Sequence, residues 1–134
     1  MSPYTEVEKN TQYLDGTHNV HHLLKMIKLI RKEAGSSTTL GIISVFLVIA
    51  TSSRRGIQQG ELAKRSGIEG AGLTRCLERL SKYGRVNNKG GMTLGLNWVY
   101  SEDDPVDRRF KIINLTADGL TMYEKLTEKT GGKK

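Results

Sequence analysis

Apolar residues recur along this chain with a helical period for most of its length, and with a strand period only late. From Thr17, an N-cap candidate, Val20, Leu23, Leu24, Ile27 and Ile30 fall on one side of a helix that Gly35 and the following Ser-Ser-Thr-Thr end. The next run, LGIISVFLVIA over Leu40–Ala50, is apolar on nearly all sides. Its β-branched content would permit a strand, but its length and a cap at Thr38 or Thr39 predict a buried helix. A polar turn, TSSRRGI, exposing Arg54 and Arg55, leads into Gln58–Val86. There Ser66-Gly67 breaks two short helices. The second, predicted over 69–83, carries Leu73, Cys76, Leu77 and Leu80 as one apolar stripe, with Gly72, Arg75, Arg79 and Lys82 at helical spacing opposite. NNKGG then reads as a turn-rich loop. Leu94–Tyr100 and Arg109–Leu115 read as strands around a proline-containing tip, SEDDPVD. Thr116 caps a last helix with Leu120, Tyr123 and Leu126 on one side.

The order is helix, helix, helix-turn-helix, hairpin, helix. A hairpin directly after the second motif helix is a wing, here spanning 94–115. The expected fold class is therefore mainly α with a small antiparallel β hairpin, a winged helix-turn-helix. Residues 1–16 show no helical period and form an N-terminal extension. Residues 17–130 form the domain, and 131–134 a flexible tail.

Charge sharpens this picture. The 134 residues carry 21 Lys and Arg against 14 Asp and Glu, a formal net charge of +7, which favours a polyanionic partner. The single cysteine excludes an intramolecular disulfide and suits a reducing compartment. No leader is visible and Leu40–Ala50 is too short to span a bilayer, so the expectation is a cytoplasmic protein without a membrane partner. No phosphate loop, metal motif or nucleophile–base pair marks an enzyme, and no cofactor is expected. His18, His21 and His22 share a helix face, but no carboxylate or cysteine cluster accompanies them. They read as polar first-turn residues, not as a metal site. Cys76 lies on the apolar stripe and reads as a core residue, not a redox sensor. Trp98 reads as core or hairpin packing.

A basic face on the second motif helix points to double-stranded DNA. The N-terminal part of such a helix meets base edges in the major groove. Gly70, Ala71 and Gly72 would let the backbone approach closely, or would ease packing of the two motif helices. Thr74 and Arg75 are the candidates for base contact, because arginine binds guanine O6 and N7 in bidentate fashion. Arg79 and Lys82, with Gln58, Gln59, Lys64 and Arg65, are candidates for phosphate, or for a solvated face. Glu69 could accept from cytosine N4 or favour the positive end of the helix dipole; it and Glu78 are awkward beside an anion. Glu102, Asp103 and Asp104 would repel phosphate, so they must sit at the tip away from the DNA backbone or be offset by arginines.

Three stretches resemble the MarR family of winged-helix transcription regulators: TLGIISVFLVIATSSRRGIQQGELAKRSGI (Thr39–Ile68), LTRCLERLSKYG (Leu73–Gly84) and DDPVDRRFKIINLTADG (Asp103–Gly119). The third is the most specific, an Asp-Arg-Arg hairpin running into Leu-Thr-x-x-Gly. The resemblance implies a homodimer paired through terminal helices, recognition helices in successive major grooves and wings in the flanking minor grooves. It implies repression of transcription, with a small-molecule effector possible. It assigns Arg108 or Arg109 to the minor groove, with Asp107 positioning its neighbour. The chain departs from the family between Tyr83 and Gly95, where the connection is longer by roughly ten residues and long for a compact domain. The 19 residues after Leu115 are too few for two full helices. These departures leave open a second use of the fold, a protein-interaction module that docks on RNA polymerase or another regulator.

Overall fold

The computed structural model describes residues 16–86 and 92–130. The expected N-terminal extension (save Gly16), the NNKGG loop and the C-terminal tail lie outside them. Helix α1 is Thr17–Ala34, α2 Leu40–Ala50, α3 Gln59–Ser66, α4 Gly70–Leu80 and α5 Ala117–Thr130. The strands are β1 (Ile57–Gln58), β2 (Tyr83–Val86), β3 (Met92–Leu94), β4 (Val99–Asp103) and β5 (Lys111–Leu115). The fold is the expected one, mainly α with a small antiparallel sheet in a winged helix-turn-helix.

The core is aliphatic and centred on α2. Ile43, Val45, Phe46 and Ile49 of that helix are buried among Ile30 and Ala34 of α1, Leu62 of α3, Leu73, Cys76 and Leu80 of α4, and Met122 and Leu126 of α5. Such a pillar must be apolar all round because neighbours surround it. Of the two threonines proposed as its cap, Thr39 does the work: its Oγ1 accepts from Ile42 N at 3.2 Å. Thr17 is not a cap, since α1 begins at that residue and the N-cap position falls to Gly16, which has no side chain to offer. Along α1 only the C-terminal half of the apolar side is covered. Ile30 is buried, whereas Val20, Leu23 and Leu24 stay exposed. On α5 the inward residues are Met122 and Leu126, and Leu120 faces out.

The wing differs from expectation in its bounds. Its strands are β4 and β5, paired from Val99↔Leu115 to Asp103↔Lys111, and β1 adds a third strand through Ile57↔Ile113 and Gln58↔Ile112. Gly56, with φ +94, lets this strand start: a Cβ there would press on Ile112 Cγ2 and lie 2.8 Å from the Ile113 carbonyl oxygen. Leu94 belongs to a separate hairpin, β2–β3, with Tyr83 opposite Leu94 and Val86 opposite Met92. The long connection thus contains a second, smaller hairpin between α4 and the wing.

Residues 95–98, read as strand in the sequence, instead seal the end of α4. The N–H groups of Leu96 and Trp98 donate to the carbonyls of Arg79 (2.9 Å) and Leu80 (2.8 Å), and those of Gly95 and Asn97 to Lys82 (2.8 Å) and Ser81 (3.2 Å). Helix C-terminal carbonyls have no partner within the helix, so this segment supplies what α4 lacks. The approach is close enough to require Gly95, where a Cβ would collide with the Ser81 carbonyl oxygen. Trp98 packs on Phe46 with ring centroids 5.0 Å apart. Its carbonyl accepts from Thr116 N at 3.0 Å, while Thr116 Oγ1 donates to the Asn97 carbonyl and accepts from Gly119 N. Leu-Thr-x-x-Gly therefore has a physical reading: the threonine caps α5, and the glycine leaves room for the Trp98 carbonyl.

Gly119→Ala is expected to lower stability by about 2 kcal/mol or more, because the added methyl meets backbone that cannot swing away. Gly60→Ala, whose methyl would meet nothing within 4 Å, should hold or slightly raise it. Denaturant unfolding of both variants checks this; equal midpoints would contradict the packing described.

Candidate nucleic-acid interface

Helices α3 and α4 are joined at Gly67, which ends α3 in the left-handed conformation (φ +76). Glu69 is the extended N-cap of α4 without a side-chain cap bond, and Gly70 follows at φ +62. Helix α4 buries Leu73, Cys76 and Leu80, so the side facing away from the protein is Ala71, Thr74 and Arg75 together with the half-buried Glu78. These four line a shallow recess of about 250 Å³. Glycine at 70 is demanded by its positive φ, whereas a Cβ at Gly72 would make only ordinary contact with Ile68 Cγ2 at 3.4 Å. Packing between the motif helices does not require residue 72 to be small. Thr74 Oγ1 donates back to the Gly70 carbonyl at 3.3 Å, leaving its acceptor lone pairs and its methyl facing out. No carboxylate of the described residues is paired with Arg75.

The expected row Gly72, Arg75, Arg79, Lys82 is not a row. Helix α4 stops at Leu80, not at 83, so Lys82 lies beyond its last turn, exposed. Arg79 is half-buried and turns toward the protein, its Nη2 donating to the Ala34 carbonyl at 2.6 Å. Gln58 is exposed but engaged: its Nε2 donates to Asp104 Oδ2 at 2.9 Å. Arg65 is exposed and donates from Nη1 to Ser52 Oγ at 3.2 Å, keeping its other nitrogens outward. Lys64 is exposed beside it and Gln59 is half-buried at the start of α3.

At the wing the acidic run is neither at the tip nor offset by arginines. Glu102 and Asp103 are the last residues of β4, and Asp103 Oδ1 accepts from Lys111 Nζ across the hairpin at 2.7 Å. Asp104 is only 7% exposed and accepts from Val106 N (2.8 Å) as well as from Gln58. The tip proper is Pro105–Phe110, folded by Asp side chains bonding their own backbone two residues on. Asp107 does hold its neighbour but one: Arg109 Nε and Nη2 donate to its two carboxylate oxygens at 2.9 and 2.7 Å, and the guanidinium lies 5.6 Å from the Phe110 ring centre. Arg108 is exposed with no partner among the described residues, beside Val106, which is 92% exposed.

The carboxyl pKa of Asp104 is lowered, first by the Val106 N–H and then by the Gln58 amide. That of Asp107 is lowered by Arg109, whose own pKa rises in return. Burial pushes the Cys76 thiol up, away from the reactive thiolate. His18 and His22 stack at 5.3 Å, and among the described residues no group of His, Cys, Asp and Glu is placed to hold a metal. No described helix is long and apolar enough to cross a membrane. The Gln58–Asp104 and Asp103–Lys111 pairs escape sequence reading, because their partners meet only once the sheet forms.

No family model matches the chain, and no curated protein does. Solved structures do. A MepR mutant from a multidrug resistant S. aureus clinical isolate superposes with TM-score 0.64 at 18% identity, over 90% of this chain and 75% of the other. A S. aureus MepR–DNA complex gives 0.59 at 16% identity, over 90% and 86%. Reduced AbfR bound to DNA gives 0.53 at 20% identity, over 97% and 83%. The chain thus shares the fold of these MarR-type regulators.

Both wing aspartates are expected to contribute acid sensitivity. A carboxyl whose folded pKa lies below its unfolded value of about 3.9 contributes stability that is present above that value and lost as pH falls through the folded one. Denaturant midpoints of the wild type should therefore fall between about pH 5 and pH 2, and less steeply in Asp104→Asn. Parallel acid limbs would contradict the Asp104 assignment.

Proposed function

We propose that this protein is a sequence-specific double-stranded DNA-binding transcription regulator, acting as a homodimer and as a repressor. The observation that carries the reading is the outward side of α4: a small-residue N-terminal turn followed by Thr74 and an exposed Arg75, unpaired among the described residues, on a helix-turn-helix. Its fold is shared by proteins solved on DNA. Gly70, Ala71 and Gly72 bring the α4 backbone to the major groove, and Arg75 reads a guanine with Thr74 beside it. Lys64 and Arg65, with Gln59 and Lys82, meet phosphate and fix register. Arg108 is the wing residue for the minor groove, since Asp107 holds Arg109 in a bidentate pair. The dimer is supported by the apolar residues α1 and α5 leave uncovered, Val20, Leu23, Leu24 and Leu120. The role is binding, not catalysis.

Selection from a random duplex library, followed by anisotropy titration at several salt concentrations, tests this. The wild type should enrich one site and lose affinity steeply with salt. Arg75→Ala should cost roughly 1–3 kcal/mol on that site and relax preference at one base pair, while Arg108→Ala weakens all duplexes more evenly. No enrichment and no binding at low salt would overturn the reading in favour of docking on a protein.

A further inference from the structure

Arg79 is a residue of α4 whose side chain leaves the helix to bind another element's backbone. Its Nη2 lies 2.6 Å from the carbonyl oxygen of Ala34, the last residue of α1, which is buried. The turn after α1 keeps that carbonyl open. Gly35, at φ +105, turns the chain; its N–H goes back to Arg31, and its carbonyl is taken by Thr38 N and Oγ1. The Ala34 carbonyl is thus one of the terminal acceptors a helix cannot satisfy itself, at the end where the helix dipole favours a cation. The backbone of residue 79 is fixed as well, its carbonyl accepting from Leu96 N at 2.9 Å. One residue therefore joins the end of α1, the last turn of α4 and the segment that feeds the wing.

We propose that Arg79 is a positioning residue. It sets the tilt of the recognition helix against α1, and so which side chains reach the bases, without touching phosphate. The proposal rests on the DNA-binding reading above. Its guanidinium is half-buried and held on the Ala34 carbonyl, whereas Thr74 and Arg75 are exposed. Arginine suits the task because its planar, always charged fork keeps the bond directional; the more flexible lysine offers only a point charge.

The full-length protein tests this with Arg79→Met and Arg75→Met side by side. Without DNA, amide hydrogen exchange over residues 35–39 should quicken in Arg79→Met alone. On the selected site Arg79→Met should lose about tenfold or more in affinity, as expected for a bond to a charged group. Its affinity for random duplex should stay within about twofold, with the slope of log K against log salt unchanged. A slope shallower by about one unit, with equal loss on random duplex, would mark a phosphate contact and overturn the proposal. So would unchanged exchange or unchanged site preference. Arg79→Lys covers the case in which the methionine variant does not fold: it should keep the salt slope and lose site preference, and full retention of preference would overturn the assignment. Wild-type protein that binds no duplex would instead overturn the DNA-binding reading itself, and the exchange arm would still decide whether the tether exists.

Discussion

The structure depends on how the open end of α4 is closed. A short helix that presents its N-terminal turn outward must have its C-terminal carbonyls satisfied, and here those of Arg79 and Leu80, with Ser81 and Lys82 just beyond, accept from the backbone of residues 95–98. That requirement fixes Gly95 against α4, sets Trp98 on Phe46, and delivers the Trp98 carbonyl to the cap of α5. Helix α4, the wing and the last helix are thus held by one stretch of main chain. The β2–β3 hairpin can be inserted before that stretch because its ends, Tyr83 and Leu94, are paired with each other, so the chain returns to α4 where it left.

Several basic residues are engaged within the protein. Arg79 ties α4 to α1, Arg109 closes the wing tip on Asp107, and Lys111 offsets Asp103. Exposed basic residues on and around the motif and at the wing tip, among the described residues, include Arg54, Arg55, Lys64, Arg65, Arg75, Lys82 and Arg108. Of the acidic residues of the wing, Asp103 is paired with Lys111, and Asp104 is buried and accepts from Gln58.

Much of this architecture was legible in the sequence because it rests on local pattern. The period of Leu73, Cys76, Leu77 and Leu80 placed α4, the apolar run Leu40–Ala50 placed the central helix, and Thr116 announced α5. What escaped depends on contacts far apart in the chain. Ile57–Gln58 is too short to read as a strand, and becomes one only against β5. The stretch Leu94–Trp98 has strand-like composition, yet its N–H groups after Leu94 are drawn to α4. Of the candidate site, the outward position of Arg75 followed from helical spacing, and that of Ala71 and Thr74 from their place in the first turns of the helix. The inward turn of Arg79 did not, because helical spacing assigns a face to a residue near the boundary of the apolar stripe but cannot say which way a long side chain reaches; the Gln58–Asp104 bond did not either, because its partners are brought together only by the sheet.

The central claim is that the outward side of α4 and the wing tip together form the surface that meets DNA. A titration of isotope-labelled protein with its selected duplex, followed by amide chemical shifts, tests it most directly. The account predicts perturbations concentrated at residues 70–75 and 105–109, with Arg79 responding less than Arg75. Shifts confined to the exposed apolar residues of α1 and α5, or none at all, would contradict it.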